Sequence, residues 1–192
     1  MQRILIAVML AGTLSACGTT TGGLRYAPPA QLAPISASTQ PVTVVNFVDA
    51  RDEQATWLGV IRGGFGNHLK TLESTRPAAE LVRDAFADGL GARGVKAGAG
   101  GLQLGGTVRK LYCDQVVRRE ANVIVELTVS APDGQRRFAR TYEANRVEGS
   151  ALALDTGIFA STEALRLILE RTLREVVDQA LDDPELRAAL RL

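Results

Sequence analysis

Between residues 123 and 142 the chain carries its clearest pattern. Val123, Val125, Leu127 and Val129 occupy every second position, and Phe138 and Tyr142 resume the alternation after Pro132-Asp133-Gly134. Period-two spacing interrupted by a Pro-Asp-Gly turn predicts an antiparallel hairpin. Upstream, the stretch LQLGGTVRKLYC from Leu102 to Cys113 predicts a strand, with Gly105-Gly106 as a bulge or a point of close backbone approach. In PVTVVNFVDAR, starting at Pro41, the residues Val42, Val44, Val45, Phe47 and Val48 leave hardly any polar alternation. That predicts a strand buried on both faces, and hence a central one.

Helical spacing takes over at Leu81, Val82, Ala85, Phe86 and Leu90. It predicts a helix from Arg76 to Ala92, with Ser74 or Thr75 as cap, Pro77 in the first turn and Gly94 as the stop. A second helix is expected from Ser161 to Leu181, where Leu165, Ile168, Leu169, Leu173, Val176 and Val177 form one stripe and charged residues the other. Asp183 and Pro184 then suit the cap and first position of a short closing helix. The predicted order is β-α-β-β-β-α, an α/β (α+β) fold with a mixed sheet of about four strands and two helices on one face.

Two stretches show no period. Arg51 to Glu73 is expected as a long loop; it holds a glycine cluster at Gly63, Gly64 and Gly66, the single tryptophan, Trp57, and the single histidine, His68. Structureless loops of that length are uncommon unless they have a role. Residues 18–40 are rich in Thr, Gly, Ala, Pro and Ser with almost no charge, a composition that predicts an extended tether.

The N-terminus resembles a lipoprotein signal peptide. Met1-Gln2-Arg3 supplies a positive start, Ile4 to Leu10 an apolar core too short to span a bilayer, and Leu14-Ser15-Ala16-Cys17 a lipobox. The resemblance implies removal of residues 1–16 and acylation of Cys17 by diacylglycerol and a further fatty acyl chain such as palmitate. Two or more chains give stable anchoring where one is marginal. Gly18 stands where an aspartate would signal inner-membrane retention, which favours the periplasmic face of the outer membrane. The expected organisation is a signal peptide at 1–16, a tether with lipidated Cys17 at 17–40, and a single periplasmic domain at 41–192.

Composition supports one globular domain with appendages: 46% of residues are hydrophobic and 22% charged. The formal charge of +1 includes Arg3, so acidic and basic side chains balance once the signal peptide is gone. A basic nucleic-acid footprint is therefore not expected. With Cys17 acylated, Cys113 remains alone and no intramolecular disulfide is expected.

Few motifs carry chemistry. GLGARG, Gly89 to Gly94, matches a dinucleotide fingerprint but closes a helix where that motif must open one. GGFGN lacks the Lys and Ser/Thr of a phosphate loop. His68 and Cys113 have no spacing that predicts contact, Ser150 reads as part of a turn, and one histidine with scattered carboxylates predicts neither a metal site nor a cofactor. No enzymatic role is expected. Asp49 and Arg51, one residue apart at a strand end, point to the same side. They either pair to fix the base of the following loop or present charge to a partner. Trp57 and Phe65, with Leu58, Val60 and Ile61, either pack on the sheet or engage another protein.

Taken in order, the lipobox, VTVVNFVDARDEQ, the helix ending LGARGV, LQLGGTVRKLY, NVIVELTVSAPDGQ and RTYEANRVEGS resemble the YajG-like family of bacterial lipoproteins. The resemblance implies lipidation at Cys17 and a counterpart for Asp49 and Arg51. It brings no enzymatic activity and no ligand, and RGGFGN departs from it. The element order is also similar to small domains of the curli-pore and TolB amino-terminal families. The expected function is that of a non-catalytic outer-membrane lipoprotein whose partner is another envelope protein, bound through Asp49, Arg51, Trp57 and Phe65. The alternative is an auxiliary subunit of an envelope lipid or solute transport or secretion system, with acyl chains held between helix and sheet.

Overall fold

The computed structural model describes residues 18–32, 34–35, 41–149 and 160–192. Cys17 and Ser150 lie outside them. The described elements are β1 (Gly18–Thr21), β2 (Val42–Val44), β3 (Val48–Asp49), β4 (Trp57–Arg62), β5 (His68–Glu73), α1 (Ala78–Ala92), β6 (Leu102–Gln115), β7 (Arg119–Ser130), β8 (Arg136–Glu148), α2 (Thr162–Asp182) and α3 (Pro184–Leu190). The fold is thus α+β with a mixed sheet, but the sheet has eight strands among the described residues, not about four. Three helices accompany it, the third being the short closing helix.

β6, β7 and β8 form the antiparallel body of the sheet, joined in the register the alternation predicts, with Val125 opposite Tyr142 and Val129 opposite Phe138. Gly134, at φ 83°, supplies the left-handed residue that ends the β7–β8 turn. The odd-numbered residues of β7, from Ala121 to Val129, are buried in one core with Leu81, Val82 and Phe86 of α1 and Leu165, Ile168 and Leu169 of α2. Both long helices therefore cover the same face. Gly89 lets them close on each other, since a Cβ there would lie 2.7 Å from a methyl of Val177.

The free edge of β6 is shared by three segments in succession. β2 and β3 run parallel to its first half and β4 to its end, where Gly59 faces Cys113 and Ile61 faces Gln115. The expected central strand at 42–48 is therefore corrected: it is two short edge segments, and Val48 is 60% exposed. The chain breaks between them because Phe47 turns inward to stack on Phe86, with ring centroids 5.7 Å apart. Gly105 and Gly106 make room for that turn, as a Cβ on either would come within 2.8 Å of Val45 or Phe47.

The central strand is β4. It lies between β6 and β5, and Leu58, Val60 and Ile61 are fully buried. The expected loop from Arg51 to Glu73 is thus corrected to a short connection followed by a β4–β5 hairpin. Register shifts between Trp57 and Gly59 and between Ile61 and Arg62 explain why no alternation is visible in the sequence.

The expected tether is corrected as well. β1 adds parallel to β5, pairing Gly18 with Lys70 and Thr21 with Glu73. Leu24, Tyr26 and Ile35 then bury their side chains in the core, so the described part of this segment is a strap across the domain. Each such burial contributes about 1.5–3 kcal/mol against the entropy that composition alone would leave unopposed.

Candidate functional site

The pair singled out in the sequence, Asp49 and Arg51, is a structural clasp. The Arg51 guanidinium is wholly buried and donates to both Asp49 oxygens, Oδ1 and Oδ2, at 2.9 Å each. Its remaining N–H groups donate to the carbonyls of Trp57 at 2.8 Å and of Leu111, Gln54 and Ala55 at 3.1 Å. One planar fork thereby ties the 50–56 connection to the start of β4 and the middle of β6. With every donor engaged inward, Arg51 presents no charge to a partner.

A second buried arginine closes the other side of the core. Arg93 follows α1 and donates to Asp178 of α2 at 3.0 Å and to the Tyr26 hydroxyl at 3.0 Å, while Tyr26 donates to Asp178 at 2.7 Å. Burial, and then the hydrogen bond to Asp178, push the Tyr26 phenol up to about 12. This triad locks the strap onto both helices. Near it, a surface cleft of about 490 Å³ lies between the strap and α2, where Arg166 pairs with Glu163 and Glu170.

The other expected residues separate. Trp57 begins β4 half-buried, its indole edge-on to His68 with centroids 5.7 Å apart. Phe65 is at the tip of the β4–β5 hairpin, fully exposed at 104%. Cys113 points into the core, its thiol donating to the Leu58 carbonyl at 3.4 Å, and burial pushes its pKa far up. Such a thiol is a packing group and not a nucleophile. His68 is exposed and turns to Trp57 and Arg62, so no base–nucleophile pair forms with Cys113.

What the structure adds is a cluster on the sheet face that the described helices leave uncovered. There Arg62 lies 3.1 Å from the His68 ring nitrogen, 3.2 Å from the Tyr112 hydroxyl and 4.0 Å from Asp114. Burial raises the Tyr112 and Asp114 pKa values, and Arg62 works against both shifts. A shallow pocket of about 160 Å³ continues from this cluster, lined by Lys110, Tyr112, Asp114, Glu120, Asn122 and Asn145. The register explains the grouping, since Tyr112 faces Asn122 and Asn122 faces Asn145 across neighbouring strands. Tyr112 and Asp114 were missed in the sequence, although their alternation with the buried Leu111 and Cys113 marks them as outward residues of one strand.

Solved structures resemble this fold at low identity. A Xanthomonas campestris protein of the DUF330 family matches with a TM-score of 0.59 and 16% identity, over 85% of this chain and 92% of its own. A second crystal structure, of an uncharacterized protein, matches with a TM-score of 0.55 and 11% identity, over 85% of this chain and 95% of its own. A chain from Caulobacter crescentus described as a lipoprotein matches more loosely, with a TM-score of 0.43 and 19% identity over 59% and 83%. At these identities the first two show a shared fold and nothing further. No functionally curated protein matches the chain. A family profile, however, matches residues 28–191, nearly the whole described domain, with Ile35 of the strap but not β1, Leu24 or Tyr26. The chain belongs to the Lipoprotein_16 family of uncharacterized lipoproteins, the YajG-like family that its sequence resembles.

Proposed function

We propose that the protein is a non-catalytic outer-membrane lipoprotein, anchored through Cys17 on the periplasmic side, that binds another envelope protein through its uncovered sheet face. The observation that carries the reading is the Trp57–Arg62–His68–Tyr112–Asp114 cluster on that face. Tyrosine, tryptophan and arginine are the residue types that dominate binding energy at protein interfaces. Here hydrogen bonds from Arg62 to Tyr112 and His68, and the edge-on contact of Trp57 with His68, hold them in place before any partner arrives, which lowers the ordering cost of association. Asp49 and Arg51 shape the start of β4 beneath the cluster and do not touch the partner.

Two experiments test it. A photo-crosslinking residue at Tyr112 or Asn145 in intact cells should yield one defined adduct, absent with the same residue at Glu185 on α3. Equal adducts from all three positions, or none from the first two, would refute the surface. Cys17→Ala should move the chain from the membrane fraction to the soluble periplasm, and a variant that stays in the membrane would refute the anchor. Acyl chains held between helices and sheet find less support, because Phe86, Leu104, Val125 and Ile168 are fully buried in that space.

A further inference from the structure

We infer that one end of the sheet is seated in the membrane surface, with Phe65 inserted among the lipids. The inference rests on acylation of Cys17. Gly18, the next residue, is already paired with Lys70 in the sheet. Consecutive Cα atoms are about 3.8 Å apart, so no spacer separates the acylated residue from the folded domain. The lipid chains must enter the bilayer within a side-chain length of β1.

Topology decides which surface that is. β1 is parallel to β5, so Gly18 lies at the end where β5 starts, and β5 starts at the hairpin formed by Gly63 to Asn67. The hairpin tip carries Phe65, whose ring meets nothing in the domain. β4 is parallel to β6, so the β6–β7 turn comes to the same end with Val116 and Val117, 42% and 46% exposed, and the exposed Arg118 beside them. β8 also finishes there, bringing the 45% exposed Val147 opposite Glu120. Among the described residues, four of the six large hydrophobics with strong exposure are thus gathered at the end where the anchor emerges.

An aromatic ring and short aliphatic side chains beside a basic residue suit the interface of a phospholipid bilayer, where such groups bury about 5–10 Å deep. A protein partner would need this end clear of the membrane, which the absent spacer forbids. Membrane seating also turns the uncovered face of β6–β8 sideways, where the periplasm can reach it.

The test uses the acylated full chain in phospholipid vesicles. Cys17 is blocked by its lipid and Cys113 is buried, so Phe65→Cys offers one thiol for an environment-sensitive fluorophore. Val48→Cys is the comparison, because Val48 faces Thr107, eight residues along β6 from Gln115 at the seated end, roughly 26 Å at about 3.3 Å per residue. Nitroxide-bearing lipids should quench the label at 65 by roughly half or more, the depth expected of an interfacial group, and leave the label at 48 essentially unchanged. Equal quenching at both positions, or none at 65 in a chain that floats with the vesicles, would overturn the seating and leave the anchor intact. A wild-type chain that fails to float would overturn the anchor, and the seating with it.

Discussion

Replacing Arg51 by methionine removes a guanidinium with no solvent contact and leaves its partners behind. Breaking a buried ion pair by deleting one member costs about 3–5 kcal/mol, because the other charge stays desolvated. Here the Asp49 side chain retains 21% exposure, so water recovers part of that charge. Four carbonyls lose their donor as well, those of Trp57, Leu111, Gln54 and Ala55. The lower end of the range, about 3 kcal/mol, is therefore expected. At about 2–4 °C per kcal/mol for a domain of this size, Tm should fall by roughly 6–12 °C. Chemical denaturation should show a lower midpoint at unchanged slope. Arg51→Lys should restore only part of the loss, since an ammonium cannot engage the carboxylate and the carbonyls in one plane. A loss below about 1 kcal/mol, the range of an exposed pair, would refute the clasp. So would additivity of Arg51→Met with Asp49→Asn, because residues in one network should show coupling.

Gly59→Ala should destabilise by about 1–3 kcal/mol or more, as the added methyl would stand 2.2 Å from the Cys113 carbonyl oxygen in the centre of the sheet; Gly64→Ala, with open space around it, should be near neutral in the same thermal melts. Tyr26 gives a pH signature: its folded pKa, about 12, is above the unfolded value near 10. The stability it contributes is complete below pH 10 and is lost as pH rises through 12. Burial raises the Tyr112 and Tyr142 pKa values as well, so absorbance titration should show late ionisation whose amplitude falls by one phenol in Tyr26→Phe, and an unchanged late amplitude in that variant would contradict the buried strap.

The hairpin β7–β8 and both long helices were legible because each buries one face against one neighbour. That writes the period directly into Val123 to Val129 and Leu165 to Val177. The clasp was half legible: Asp49 and Arg51 could be paired by spacing, but the four carbonyls that bury Arg51 come from three different segments. β4 was illegible because its two bulges cancel the period and its burial on both faces leaves no polar alternation. Thr19 to Thr21 are β-branched and suit a strand, but no alternation marks Gly18–Thr21 as one, since all four residues are exposed and are paired only at the edge of β5.

The sequence alone determined the elements whose order is local and the resemblance to the lipoprotein family that the profile match bears out. The tertiary structure decided everything that depends on which strand meets which. It put β4 at the centre and Val42–Val48 at the edge. It drew Leu24, Tyr26 and Ile35 of a low-complexity segment into a core they cannot create themselves, and paired Gly18 with Lys70 at the end of the sheet that carries Phe65. Hydrophobic periodicity records only that a residue is buried; the partner that buries it is chosen by pairing between segments far apart in the chain, and no local pattern encodes that choice.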